Sequence, residues 1–170
     1  MISKDQIEKQ LLMVDGNEWN LKNRDQKILI SFLFVFNVFE AHLIKENETA
    51  ASARKEISRR IVEKEWFNIQ ICDDFLLFFK DRYINNESRL NHKFGQLRLS
   101  GAVNRIETER GNAKSVLLDE TDSAEKIMYC CLAISYRFRN NLFHGSKNIL
   151  GLNLYYECFE VIIKFLKELM

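Results

Sequence analysis

Residues 124–145 read AEKIMYCCLAISYRFRNNLFHG. Ile127, Cys131, Ile134, Phe138 and Leu142 recur at intervals of three and four, the period that places side chains on one face of an α-helix. The stripe holds almost to the end of the run, where two arginines, two asparagines and a histidine crowd the last turns before Gly145. Asp122 or Ser123 stands where an N-cap belongs, the acidic residues beside it favour the positive end of a helix, and Gly145 suits the left-handed residue that closes one. This is a long helix with an apolar flank and a polar tip. Its flank needs other helices to cover it.

The flanking sequence supplies them. There is no proline in 170 residues, where an average chain of this length carries about eight, and the six glycines leave few helix breakers. Asp25 to Lys45 repeats Ile28, Phe32, Val35, Phe36, Phe39 and Leu43 with the helical period. Thr49 opens a second, charged helix through ASARKEISRRIVEKE, expected to be largely solvated. The apolar run WFNIQICDDFLLFFKDRYI, residues 66–84, either continues that helix or begins afresh after a kink; in both cases Trp66, Ile69, Ile71, Phe75, Phe78 and Phe79 offer an apolar face. Leu152 to Leu169 closes the chain with Tyr155, Phe159, Ile162, Ile163 and Leu166. A short amphipathic helix over Ser3 to Val14, then the turn-like DGNEWN, forms an accessory segment at residues 1–22. Residues 85–118 carry a weaker pattern punctuated by Gly95, Gly101 and Gly111, and are expected to be a variable insert of loops and shorter helices. The expectation is one all-α domain over residues 1–170, an antiparallel bundle of four or five main helices with short accessory ones.

Charge and cysteine usage narrow the function classes. With 25 basic and 24 acidic residues the chain exerts no global pull on nucleic acid or anionic membranes, so any polyanion site is local. Cys72, Cys130, Cys131 and Cys158 lack the paired spacing of a zinc or redox motif and are expected to be buried thiols. The N-terminus lacks the apolar core of a signal peptide. The greasiest run, residues 28–44, is interrupted by Asn37, Glu40 and His42 and is shorter than the roughly 20 residues a membrane span needs. A cytoplasmic protein with no membrane partner is expected.

Local charge singles out the polar tip. No acidic residue occurs between Glu125 and Glu157, whereas Lys126, Arg137, Arg139 and Lys147 do. Arg137, Asn140, Asn141 and His144 fall on one helical edge beside the apolar stripe. Arg139 lies on a neighbouring face, about 140° from His144 by ideal helix geometry. Capping explains the same residues without a ligand, since basic side chains and asparagines satisfy the free carbonyls of a last turn. His42, with Glu40, is expected to be a buried helix residue, and His92 to be exposed.

The run YRFRNNLFHGSK resembles the signature of the HEPN-domain superfamily, in which an arginine, a polar residue and, a few positions on, a histidine close a long helix. Arg139, Asn140 and His144 match that pattern, and Tyr136, Asn141, Leu142, Phe143, Gly145 and Lys147 around them are similar to a bacterial HEPN subgroup with a recurring Asn-Leu-Phe-His-Gly run. The resemblance covers about a dozen residues. It implies a metal-independent endoribonuclease in which the 2′-hydroxyl attacks the adjacent phosphate, at a site shared by two subunits of a homodimer. Under it His144 is the acid or base, Arg139 clamps the transition state, and Asn140 orients the histidine or binds phosphate. Arg137 and Lys147 hold flanking RNA, with Asn141 either beside them or structural. No cofactor or metal is called for. Many such proteins are toxins or phage-defence effectors with an antitoxin or defence-system partner. The other class the resemblance allows is a non-catalytic HEPN module that binds RNA or nucleotide, or only dimerises.

Overall fold

The computed structural model describes residues 24–43, 50–101, 107–143 and 155–170. All regular structure among them is helical. Helices α1 (Arg24–Leu43), α2 (Ala50–Val62), α3 (Asp73–Tyr83), α6 (Ala124–Phe143) and α7 (Tyr156–Glu168) are the main ones, and α4 (His92–Gln96) and α5 (Glu109–Leu117) are short. The expected all-α architecture is thus observed. The expected helix at Ser3 to Val14 lies outside the described residues, as do His144, Gly145 and Lys147. No helix among the described residues is long and apolar enough to cross a membrane.

These residues form two compact units. The first takes α1, α7 and the last three residues of α6; the second runs from α2 to Asn140 of α6.

In the first unit α1 and α7 pack along each other. Much of the stripe read from the sequence is buried here: Phe32, Val35, Phe36 and Phe39 are inside, as are Phe159, Ile162 and Leu166. The Phe32 ring sits 4.6 Å from that of Phe159 and 5.6 Å from that of Phe36, spacing at which aromatic edges and faces attract beyond simple burial.

In the second unit, helices α2 and α3 are separate. The charged end of α2 gives way to exposed residues 63–66, and Asn68 then starts a 3₁₀ turn, Ile69–Cys72, by accepting the Gln70 N–H on its side chain at 3.0 Å. Helix α3 begins anew at Asp73, with Asp73 and Asp74 in its first turn. The break changes which apolar residues are inside. Phe75 and Phe79 are buried, but Trp66 is 52 % exposed and Leu77 71 %, so Trp66 does not join the expected apolar face. Phe79 lies 5.7 Å from Tyr83 and 5.8 Å from Phe138 of α6, and Tyr83 meets Phe94 of α4 at 6.1 Å. Aromatic side chains thus connect α3 with α4 and α6.

Helix α6 is buried on more than a stripe. Met128, Cys130 to Tyr136 and Phe138 are all buried, a wider buried surface than the single stripe read from the sequence. Ser123 precedes it, and its Oγ accepts the Lys126 N–H at 3.5 Å, a long capping contact. Cys72, Cys130, Cys131 and Cys158 are all buried free thiols. Burial raises the Cys130 and Cys131 pKa values well above the ordinary thiol range, the hydrogen bond with Cys72 adding to the effect at Cys131.

Residues 85–118 contain two helices with buried faces. Phe94, Leu97 and Leu99 are inside, and α5 is buried along most of its length. Thr108 caps α5, its hydroxyl accepting the Gly111 N–H at 3.1 Å. Gly101 has φ +86°, and a Cβ there would stand 2.3 Å from the Thr108 Cβ. Only glycine fits this close approach.

Candidate functional site

The polar tip of α6 is described as far as Phe143, and it includes four of the six residues singled out in the sequence: Arg137, Arg139, Asn140 and Asn141. His144 and Lys147 lie outside the described residues. Arg137, Arg139 and Asn140 are each half-buried.

Arg137 is held from across the second unit. Leu97 ends α4, and its carbonyl is one of those a helix leaves without an internal partner. The Arg137 Nε–H donates to that carbonyl oxygen at 2.5 Å. The side chain thus caps α4, a role separate from the RNA contact expected of it. Its two Nη groups make no hydrogen bond or ion pair among the described residues. An arginine anchored by a neutral carbonyl, and ion-paired with no carboxylate among the described residues, keeps its charge available to an anion.

Arg139 and Asn140 form a second contact, with Arg139 Nη1 donating to the Asn140 Oδ1 at 3.2 Å. Adjacent residues on a helix diverge by about 100°, so the long arginine side chain must fold back around the helix to reach its shorter neighbour. The carboxamide oxygen is thereby engaged with the guanidinium, which leaves the Asn140 Nδ2 to donate elsewhere. Asn141 is 7 % exposed. That burial leaves little of it to meet an RNA and favours its structural role. The last two turns of α6 therefore carry two arginines, each with a hydrogen bond to a neutral oxygen, beside the Asn140 amide.

Helix α2, expected to be largely solvated, departs from that expectation on one face. Arg54, Ile57, Ser58 and Ile61 are buried, while Lys55, Arg59 and Glu63 are exposed. Arg54, 8 % exposed, pairs with Glu109 of α5, 9 % exposed. Its guanidinium also lies over the Tyr136 ring, with Cζ 5.2 Å from the centroid. The other Glu109 oxygen accepts the Ser100 hydroxyl at 2.7 Å and the Ser100 N–H at 3.3 Å. Burial, together with the charge of Glu109, raises the pKa of half-buried Tyr129, with Arg54 acting against the shift. This network is not marked as a whole by any motif in the sequence. The signal for half of it was present: Arg54, Ile57, Ser58 and Ile61 share a face by the three-and-four rule.

The other histidines fall as follows. His92 is exposed at the start of α4; His42 is half-buried near the end of α1, and its Nδ1 has no hydrogen-bond partner among the described residues. No group of three or more histidine, cysteine, aspartate or glutamate side chains among the described residues is placed to hold a metal ion. Each unit has a pocket that neither Arg137 nor Arg139 lines. One of about 200 Å³ is lined by Lys55, Asn112, Lys126 and Tyr129 among others, and one of about 420 Å³ by Lys27, Ser31, Lys164 and Lys167 among others. Comparison of the chain with protein families, with characterised proteins and with solved structures finds no match.

Proposed function

We propose that the chain is a HEPN-like, metal-independent endoribonuclease acting at the polar tip of α6. The arrangement of Arg137 and Arg139 carries the reading: both stand on the last two turns of one helix, and each donates to a neutral oxygen. The absence of acidic residues between Glu125 and Glu157 points the same way. Cleavage of RNA by its own 2′-hydroxyl needs positive charge at the developing phosphorane, a proton acceptor for the hydroxyl and a donor for the leaving oxygen. Arg139, partnered by Asn140, is assigned the first task. His144, five residues on, is assigned the proton transfers, because imidazole titrates in the working range.

One imidazole does not serve readily as both base and acid in a single turnover. A two-fold homodimer supplies a second from the same sequence position, so the proposal includes a composite site with two copies of Arg139 and His144. Arg137 and Lys147 are assigned to flanking phosphates, a contribution that weakens with salt. A toxin or defence role with a neutralising partner protein belongs to the same proposal, and rests on the resemblance of YRFRNNLFHGSK alone.

The test is incubation of the purified chain with end-labelled RNA in the presence of a chelator. The expected outcome is fragments ending in a cyclic phosphate, lost in His144→Ala and in Arg139→Ala while both variants keep the wild-type circular dichroism. Intact RNA after prolonged incubation with the wild type sinks the enzyme, and intact but tightly bound RNA replaces it with the non-catalytic module. Elution of the wild type only as a monomer removes the composite site.

A further inference from the structure

The polar contacts of the second unit close a ring on the helix that bears the candidate site. Starting at Tyr136, the path passes to the Arg54 guanidinium over its ring, to Glu109, and to the Ser100 hydroxyl and N–H. It then follows the backbone from Ser100 to Leu97, whose carbonyl receives the Nε–H of Arg137, the residue next to Tyr136. The backbone part of the ring has little slack. Arg98 and Gly101 both have positive φ, +54° and +86°; Gly101 is pressed against Thr108; and the Ser100 carbonyl accepts the Arg110 N–H at 3.1 Å. The ionic part is stiff for another reason. Both charges are buried, so parting them exposes neither to enough water to repay the lost attraction.

We propose that Arg54, Glu109 and Ser100 are positioning residues for the candidate RNA site: they fix the turn at residues 97–101, and the turn fixes Arg137. An arginine side chain has large rotamer entropy when free. Anchoring Nε removes most of that freedom in advance and presents the opposite edge, with both Nη groups, in one orientation for a phosphate. The functional part of this inference rests on the ribonuclease reading. The mechanical part, that the ionic pair holds Arg137 through the turn, does not.

The two parts are tested separately on the full chain. Phenylglyoxal, which modifies guanidinium groups, is applied to the wild type, Ser100→Ala and Glu109→Gln, and the modification rate of each arginine is followed by mass spectrometry. Arg89, whose side chain is 79 % exposed, serves as the internal reference. The expected result is several-fold faster modification of Arg137 in both variants relative to Arg89. An unchanged Arg137 rate in a folded variant overturns the proposal. Should Glu109→Gln fail to fold, Ser100→Ala, which deletes one hydroxyl, decides alone. The second arm measures RNA cleavage. Ser100→Ala is expected to raise KM several-fold with kcat little changed, and an unchanged KM in a variant whose Arg137 has become reactive overturns the positioning role. If the wild type leaves RNA intact, the ribonuclease reading fails while the labelling arm still decides whether the ring holds Arg137.

Discussion

Helices α1 and α7 hold each other with hydrocarbon and aromatic rings, Phe32 against Phe36 and Phe159. The unit from α2 to Asn140 also has its phenylalanines, but a charged path runs through it from Arg54 to Glu109 to Ser100. The two solutions differ in what they tolerate. An apolar contact loses stability in proportion to the surface and volume removed. A buried ion pair is unforgiving towards loss of one partner and indifferent, or better, towards loss of both. What the second unit gains is direction: a carboxylate with two oxygens fixes donors from two segments, and those segments meet α6 at Tyr136 and Arg137.

This contrast is open to a direct attack. Glu109→Ala leaves the Arg54 charge buried without its carboxylate and is expected to destabilise the chain by about 3–5 kcal/mol. Phe32→Ala in the first unit should cost about the same, 3–5 kcal/mol, through a cavity between α1 and α7. Urea denaturation checks both. The discriminating experiment removes partners in pairs. Arg54→Met with Glu109→Leu is expected to recover most or all of the loss seen in Glu109→Ala, whereas Phe32→Ala with Phe159→Ala should lose more than either alone. A double variant at Arg54 and Glu109 that is no more stable than Glu109→Ala would erase the distinction between the regions.

The thiols of the second unit give a smaller effect with a defined sign. Cys130 and Cys131 have folded-state pKa values raised by burial, whereas an unfolded cysteine ionises near 8.5. A group raised in this way contributes its full stability below the unfolded value and loses it as pH rises towards the folded one. Stability should therefore fall above about pH 8.5, by on the order of 1 kcal/mol per thiol over the first pH unit. Comparing urea midpoints at neutral and alkaline pH, with Cys130→Ala shallowing the decline, tests this; a flat profile would contradict it. Smallest of all is Thr108→Ala, which removes the cap of α5 and should cost about 1 kcal/mol by the same measurement.

The apolar half of this molecule was legible because period and partner coincide. Phe32, Val35, Phe36 and Phe39, and Cys131, Ile134 and Phe138, recur at the helical interval and are buried. The break between α2 and α3 was not legible, since no proline or glycine marks it; an Asn68 side chain bonded to a nearby N–H makes it. The exposure of Trp66 follows from that break, because side chains before and after it no longer share one helical face. At the candidate site the arginines and asparagines stood out by composition. Their partners did not, because the Leu97 carbonyl and the Arg54–Glu109 pair are separated from them by tens of residues and carry no periodic signal.

The order in which the two units can close during synthesis follows from how they are cut from the chain. The second is built from one continuous stretch, while α1 waits for α7, whose end is made 125 residues later. At a bacterial or eukaryotic ribosome that delay is roughly 6–25 s, during which the phenylalanine-lined side of α1 lacks the helix it is shaped for.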